Sequence, residues 1–334
     1  MQRAIPFLRK SMAIKPINLV LDWDGTITTK DTMFAYGKVA DIRDARLSKS
    51  PTASFKEFGK AWMDDYTAHE QNYTPKADDR RHPSQESAWL KSLSNVETSS
   101  VERVENSGFF AGVTLQDVSD AAKDLMETGK VSLRAGWEDV FSQAFKDSVS
   151  QRHHDRGIFG FGVSLLSVNW SEAFIRKSLM VAASCSPSLS GDDFQELLNR
   201  DIKITANDIS GLQHPGGSSG LLTDPDHPIV RTSFDKLQNF EVQDHAHNIY
   251  VGDSATDFDC LLAADLGICI RDVQMGSSAK TLADTLSRLG YNVRHVSEIK
   301  NWQEVKSGSN LLWASDFKEI LTLLGRLQDP DSRA

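Results

Sequence analysis

The chain has 334 residues, of which 40% are hydrophobic and 25% are charged, as in an ordinary globular protein. Its formal net charge of −9 disfavours non-specific attraction to nucleic acid or to an anionic membrane surface, so we expect neither as a partner. No apolar run reaches the roughly 20 residues that a membrane-spanning helix needs. The three cysteines are odd in number and form no C-x-x-C pair, which argues against a disulfide framework or a zinc site and fits a reducing compartment.

The stretch before the first acidic residue, Asp22, carries four basic residues among apolar ones. This pattern is compatible with a short mitochondrial presequence and equally with a basic tail. Serine content and length are low for a transit peptide, so we interpret residues 1–16 as a basic N-terminal tail. We therefore expect a cytoplasmic protein, with a mitochondrial location as the alternative.

The run INLVL, Ile17–Leu21, is apolar and contains β-branched residues, which predicts a short buried strand. Asp22 and Asp24 follow it, and their side chains project to the same side if the backbone stays extended. Two close carboxylates repel each other and favour a cation, a shared proton or good hydrogen bonding. Gly25 lets the chain turn sharply at the strand end, where ligands bind in open α/β sheets. A solvated acidic turn is the alternative interpretation.

Residues 31–156 show helical spacing and no convincing β alternation. The predicted helices cover residues 54–66, 84–93 and 114–128, with a fourth inside residues 131–147 after a break at Gly136. Thr114 is placed to cap the third helix and Gly129 to end it. Loops are predicted for the polar stretches 72–83 and 95–108. We interpret residues 31–156 as a helical domain inserted after the first strand.

From residue 157 onwards, apolar strands alternate with helices. The predicted strands are residues 158–167, 201–206, 248–252, 267–270 and 291–296. The predicted helices are residues 172–181, 194–198, 231–240, 256–264, 280–289 and 315–327, with Asn169 capping the first and Ser315 the last. This alternation is typical of an α/β fold with a doubly wound parallel sheet. The core is expected to combine residues 17–30 with residues 157–334.

A second acidic motif, GDSATD, follows the predicted strand 248–252 and opens a helix. It places Asp253 at the strand end and Asp257 four residues later. Together with Asp22 and Asp24 they would form an oxygen-rich site of the kind that Mg²⁺ prefers. The alternative is that the two later aspartates only cap and stabilise the first helical turn.

Two further residues are candidates for phosphate binding. Ser167 ends the predicted strand 158–167, where a hydroxyl and the N–H groups of the next helix can hold phosphate oxygens. Lys236, on the predicted helix 231–240, would neutralise phosphate charge. Lys203 competes for this role but lies in the middle of a predicted strand.

The motif DWDGT resembles the first motif, D-x-D-G-T, of the haloacid dehalogenase superfamily, and GDSATD resembles its fourth, G-D-x-x-x-D. Ser167 and Lys236 stand in the order of the second and third motifs. The resemblance spans residues 17–270. The helical insert and the segments VSLRAGWEDVF and ITANDI resemble the phosphoserine-phosphatase-like subgroup. The sequence as a whole looks most similar to fungal members without an assigned substrate. That subgroup commonly has S-G-G where this chain has Ser167-Val168-Asn169-Trp170, which puts phosphoserine in doubt as the substrate.

The resemblance implies a Rossmann-like core with a helical cap, and a Mg²⁺-dependent phosphatase that hydrolyses a small phosphomonoester through an aspartyl-phosphate. Asp22 would be the nucleophile and Asp24 the general acid and base. Family dehalogenases lack the second aspartate, so the presence of Asp24 implies phosphoryl chemistry. The implied metal site comprises Asp22, Asp24 through its backbone carbonyl, Asp253 and Asp257. The implied phosphate-binding residues are Gly25, Thr26, Ser167, Val168, Asn169 and Lys236. Trp170 and the cap residue Trp62 are candidates for substrate specificity.

Two other functions stay open. A phosphotransferase or phosphomutase would pass the phosphoryl group to an organic acceptor, and a catalytically silent protein would only bind a ligand on this fold. Intact Asp22 and Asp24 argue against the silent protein. The expected partner is a small-molecule phosphate ester, and the sequence indicates neither which ester nor the oligomeric state.

Overall fold

The fold is that of a computed structural model, which describes residues 15–49, 54–152, 160–189, 191–223 and 227–328. The tail predicted over residues 1–16 lies almost entirely outside these ranges. Across the part of the chain that is described, no helix is both long and apolar enough to cross a membrane.

The described residues form a seven-stranded sheet in the order β3-β2-β1-β4-β5-β7-β6. Each neighbouring pair is parallel. The strands are β1 Ile17–Leu21, β2 Phe161–Leu166, β3 Lys203–Thr205, β4 His247–Gly252, β5 Leu266–Ile270, β6 Arg294–His295 and β7 Leu311–Ala314. The predicted α/β class with a parallel sheet is confirmed.

Thirteen helices accompany the sheet in the described ranges. They are α1 Ala35–Leu47, α2 Phe55–Asn72, α3 Pro83–Ser92, α4 Ser94–Asn106, α5 Leu115–Glu127, α6 Trp137–Arg152, α7 Glu172–Ser184, α8 Gly191–Arg200, α9 Ser233–Asn239, α10 Phe258–Ala263, α11 Ser277–Arg288, α12 Trp302–Ser307 and α13 Phe317–Gln328.

Strand β1 lies between β2 and β4, and all five of its residues are buried. A strand covered on both faces needs apolar side chains on both, which explains the continuous run INLVL. Leu21 is in register with Leu165 of β2 and Val251 of β4. The segments that follow these three strands therefore emerge at the same edge of the sheet.

Helices α1, α4 and α5 of the insert pack in one apolar cluster, whereas α6 packs on the sheet. Val39, Val104 and Ala121 belong to this cluster, which also includes Phe174 of α7 and Leu212. Val140 and Phe141 of α6 belong instead to the main core beside β1 and β2. The division into a core and a cap at residues 31–156 stays a prediction, and the last helix of that range is attached to the sheet.

Two predicted elements are wrong, and strand β7 was not predicted. Most of the predicted loop 95–108 belongs to helix α4, because Val96, Val101 and Val104 make a buried stripe among many polar residues. The predicted strand 291–296 is reduced to Arg294–His295. The last strand in the chain is β7, which lies between β5 and β6 and is only four residues long.

The predicted helix caps have different outcomes. Thr114 caps α5 as predicted, since its hydroxyl accepts from the N–H of Asp117. Ser315 does not cap α13, whose first turn is bonded to the side chain of Asp316. Helix α7 is capped by Ser171 rather than by Asn169, and this frees the Asn169 amide for other contacts.

Candidate active site

Lys236 holds Asp22 at the carboxyl edge of the sheet. Its Nζ donates to Asp22 Oδ1 at 2.7 Å and to Asp257 Oδ1 at 2.6 Å. Lys236 is 0% exposed and Asp22 is 3% exposed, so water hardly screens these ion pairs. Helix α9, which carries Lys236, begins at a capping box between Thr232 and Asp235. A defined helix start fixes the point from which the lysine side chain reaches the two carboxylates.

Both oxygens of Asp257 are occupied by hydrogen-bond donors. Besides Lys236, the hydroxyl of Tyr250 donates to Oδ1 at 2.8 Å. The N–H groups of Asp253 and Ser254 each donate to Oδ2 at 3.0 Å. Asp257 therefore braces the lysine and the turn that carries Asp253, and it has little capacity left to bind a metal directly.

Asp253 faces the turn after β1. The hydroxyl of Thr26 donates to Asp253 Oδ1 over a long 3.4 Å. Gly25 has a φ of +70°, and a Cβ at this position would lie 2.4 Å from Asp253 Oδ2. Only glycine combines this backbone conformation with the close approach of the carboxylate. The D-x-D-G turn and the second acidic motif thus fit together as one site.

Neutral donors hold the carboxylate of Asp24. The N–H and hydroxyl of Thr32 donate to Oδ1 at 2.7 and 2.6 Å, and the side-chain amide of Asn169 donates to Oδ2 at 2.7 Å. The side chain of Asp24 therefore points to Thr32 and Asn169 rather than into the acidic cluster. Only its backbone carbonyl remains for the metal role that the family resemblance implies.

Burial raises the pKa values of the two aspartates after β1. The pKa of Asp22 rises to about 7, although Lys236 opposes the rise. The pKa of Asp24 rises to about 6 through burial and the charge of Asp31, against the hydrogen bonds from Asn169 and Thr32. Burial lowers the pKa of Lys236, but the carboxylates beside it outweigh this effect and the net pKa is raised. Lys236 is accordingly a permanent cation.

A divalent cation fits the acidic cluster. Asp22, Asp253 and Asp257 can each direct one carboxylate oxygen so that these atoms lie within 4.8 Å of one another. Burial, followed by the charges of Asp257 and Asp22, raises the pKa of Asp253 well above its usual value. One lysine faces three carboxylates, so the negative charge is in excess and needs a counter-charge. Oxygen-only ligands favour a hard ion such as Mg²⁺.

The loop after β2 is tied to the segment before α9 through Asn207. Its side-chain amide donates to the carbonyls of Val168, Asn169 and Val230 at 3.1, 3.0 and 2.7 Å. Its Oδ1 accepts from the N–H of Val230 at 3.0 Å. Ser167 is fully buried in this loop, and its hydroxyl accepts from the N–H of Asn169 at 3.2 Å. The proposed phosphate-binding loop and the helix of Lys236 therefore have a common anchor.

The two candidate specificity tryptophans have different surroundings. Trp170 follows Asn169 directly and packs against rings of the insert, including Tyr36 and Phe55 at centroid distances of 5.8 and 6.0 Å. Trp62 stacks on Tyr66 at 5.4 Å. Its described contacts connect it to helices of the insert rather than to the aspartates. Of these two tryptophans, only Trp170 is adjacent in sequence to a residue, Asn169, that contacts Asp24.

Two other basic residues differ in their relation to the site. Lys203 forms an exposed ion pair with Glu241, so it does not compete with Lys236. Arg134 was not predicted as a site residue. Its guanidinium donates to the carbonyls of Gly25 and Thr26 at 2.9 and 3.2 Å and thus fixes the turn after Asp24.

Thr32, Tyr36 and Asn207 were also missed. Tyr36 and Asn207 act through contacts with other chain segments, and Thr32 acts through a turn that brings it back to Asp24 eight positions earlier; no regular spacing in the sequence signals these contacts. The local signals were the two segments quoted for the family resemblance: VSLRAGWEDVF contains Arg134, and ITANDI contains Asn207.

No protein-family model matches the chain. A CTO1 family protein of Schizosaccharomyces pombe is 25% identical over 267 residues, which cover 76% of this chain and 82% of that protein. A solved structure described as a phospho-aspartyl intermediate analogue of phosphoserine phosphatase is 14% identical, with a TM-score of 0.44 over 92% of this chain and 98% of that one. A HAD family hydrolase of Salmonella enterica is 13% identical, with a TM-score of 0.37 over 76% of this chain and 63% of that one. Because the sequence identities and TM-scores of these structures are low, the assignment of the fold rests on the topology described above.

Proposed function

We propose that the chain is a Mg²⁺-dependent phosphatase of the haloacid dehalogenase type, which hydrolyses a small-molecule phosphomonoester through an aspartyl-phosphate on Asp22. One observation carries the proposal. A buried lysine holds Asp22 at a strand end, while Asp24, two residues later, is held separately by neutral donors. This arrangement suits a nucleophile beside a proton donor.

In the first step, a carboxylate oxygen of Asp22 attacks phosphorus. The bond between phosphorus and the ester oxygen breaks, its electron pair stays on that oxygen, and Asp24 supplies the proton. In the second step, Asp24 takes a proton from water as the water oxygen attacks phosphorus. The bond to Asp22 then breaks, the carboxylate is restored and inorganic phosphate leaves. Asp24 ends in its starting protonation state.

Mg²⁺ in this site would offset the negative charge of the phosphoryl oxygens. Asp22, Asp253 and the backbone carbonyl of Asp24 would hold it, with Asp257 as their brace. The remaining phosphoryl oxygens would bind the ammonium of Lys236, the hydroxyl of Ser167 and the N–H groups of the loop from Val168.

The substrate is expected to be a phosphomonoester whose organic part contacts Trp170 and the insert. Phosphoserine belongs among the candidates because a phosphoserine phosphatase is among the similar structures. Against it, the subgroup commonly has two glycines after the serine of its second motif, whereas Ser167 is followed here by Val168, Asn169 and the bulky Trp170. A sugar or polyol phosphate, a nucleotide, a vitamin phosphate or a phosphorylated keto compound are the other candidates.

The test is a phosphate-release screen of the full chain over a panel of phosphomonoesters, including phosphoserine, with and without Mg²⁺. An Asp22→Asn preparation purified in parallel controls for contaminating phosphatases. We expect Mg²⁺-dependent release from at least one ester by the parent alone. Phosphate release that is equal in both preparations, or absent from both, would contradict the proposal. Adding alcohols and analysing the products separates hydrolysis from transfer to an organic acceptor.

A further inference from the structure

The side chain of Asn169 can take only one orientation. Its Oδ1 accepts from the backbone N–H of Ser171 at 3.2 Å and from the hydroxyl of Tyr36. A backbone N–H cannot accept a hydrogen bond, so the atom facing Ser171 must be the amide oxygen. The amide nitrogen therefore faces Asp24.

The hydroxyl of Thr32 is also restricted to one direction. Its oxygen lies 3.2 Å from the indole N–H of Trp23 and 3.2 Å from the amide nitrogen of Asn169. Both of these groups are donors only, so the hydroxyl accepts from them and its single proton points to Asp24. Trp23 and Thr32 are both buried, which shields this arrangement from water.

Among the described contacts, these restrictions leave one lone pair of the Asp24 carboxylate without a hydrogen-bond donor. Each carboxylate oxygen has two lone pairs. The two on Oδ1 are taken by the N–H and hydroxyl of Thr32, and one of those on Oδ2 is taken by Asn169. Because each of these partners can only donate to Asp24, a proton on the carboxyl group fits only at the second lone pair of Oδ2.

We infer that Asn169, oriented by Tyr36, is a positioning residue that leaves a single lone pair of Asp24 Oδ2, the oxygen not occupied by Thr32, to exchange a proton with the substrate. The inference rests on the proposed function. In the first step, the proton moves from Oδ2 to the ester oxygen, which receives the electron pair of the breaking bond to phosphorus. Tyr36 lies on α1, so the insert contributes to the acid–base group as well as to the substrate pocket.

The leaving group tests this inference. An alkyl ester needs a proton on its departing oxygen, whereas p-nitrophenyl phosphate releases a stable phenolate and needs little help. The constant kcat/KM reports the steps up to release of the leaving group and is independent of the later hydrolysis. We expect Asn169→Ala to lower kcat/KM for an aliphatic phosphomonoester about tenfold more than for p-nitrophenyl phosphate. Tyr36→Phe should change the ratio in the same direction by about threefold.

Asn248→Ala is the matched control. Asn248 is a buried, hydrogen-bonded asparagine at the opposite end of β4, so its loss should lower the Tm without changing the ratio of the two kcat/KM values. Asp24→Asn removes the proposed proton donor, so it gives the largest change in the ratio of the two kcat/KM values that loss of proton donation can cause.

A parent that releases phosphate from no ester of the panel, p-nitrophenyl phosphate included, overturns the proposed function and this inference with it. An Asp24→Asn variant that changes the ratio, beside Asn169→Ala and Tyr36→Phe variants that do not, overturns the inference alone. If Asn169→Ala does not fold, Tyr36→Phe decides the question.

Discussion

The two aspartates that follow β1 are only two residues apart, yet they are held by different kinds of group. Asp22 lies in a charged half of the site, with Lys236 and two further carboxylates. The hydrogen-bond partners of Asp24 are neutral: an amide, a hydroxyl and a backbone N–H. Lys236 favours the ionised form of Asp22, whereas the neutral donors can keep their bonds to Asp24 in both of its protonation states. The difference matches a nucleophile on one side and an acid and base on the other.

Replacing the nucleophile should have the largest effect. Asp22→Asn keeps the side-chain volume but replaces the attacking carboxylate by a non-nucleophilic amide, so we expect kcat/KM to fall more than about a thousandfold for every substrate. Phosphate release measures this, and circular dichroism with the Tm verifies the fold. Lys236 keeps Asp257 as a partner in this variant, so the fold should persist. Turnover comparable with the parent would show that Asp22 is not the nucleophile.

Removal of the metal should come next and should act on the charged half alone. We expect activity to be lost in excess chelator and restored by Mg²⁺, because the acidic cluster offers only oxygen ligands. Ca²⁺ should inhibit, since its larger and more flexible coordination tolerates the wrong geometry for in-line attack. Full activity in chelator, with metal absence verified by elemental analysis, would reject a metal-dependent mechanism.

Substitutions of Lys236 and of the tryptophans should distinguish recognition of the phosphoryl group from recognition of the organic part. Lys236→Ala should lower kcat/KM about a hundredfold and to the same extent for all esters, because each presents the same phosphoryl group. It also leaves Asp22 and Asp257 without their buried cation, at a cost of about 3–5 kcal/mol in stability. Rates should therefore be measured well below the Tm of the variant.

Trp170→Ala should instead change the relative kcat/KM values among esters by about tenfold and spare a small generic ester. Trp62→Ala should change them less, since Trp62 contacts Tyr66 and Glu97 within the insert. The comparison needs several phosphomonoesters with different organic parts. If Trp170→Ala lowered kcat/KM equally for all esters and Lys236→Ala changed the preference among them, the proposed roles of the two residues would be wrong.

The sequence predicted those features that are local. The apolar runs of β1 and β4, each followed by an aspartate, placed Asp22 and Asp253 at strand ends, and parallel pairing then brings such ends together. Gly25 was predicted to allow a turn, and its positive φ confirms this. Such features depend on a few neighbouring residues.

The missed features depend on packing between distant segments. Helix α4 buries a narrow apolar stripe within a polar sequence, in a cluster whose other members come from the rest of the insert and from later in the chain. Asn169 was predicted as a helix cap because Glu172 follows at the right spacing. In the fold, Ser171 takes that role and the Asn169 amide reaches Asp24, which is 145 positions away in the sequence. Only the three-dimensional arrangement shows that choice.

The central claim is that Asp22 carries the phosphoryl group between the two steps. The most direct test is to mix the Asp24→Asn variant with Mg²⁺ and p-nitrophenyl phosphate, quench the reaction, and map the modification by mass spectrometry. Without the base, hydrolysis of the intermediate should slow, so we predict a phosphoryl group on the peptide that contains Asp22. Treatment with hydroxylamine should remove it, as expected for an acyl phosphate. A parent enzyme that turns over the ester, together with a variant that carries phosphate on another residue, would contradict the account.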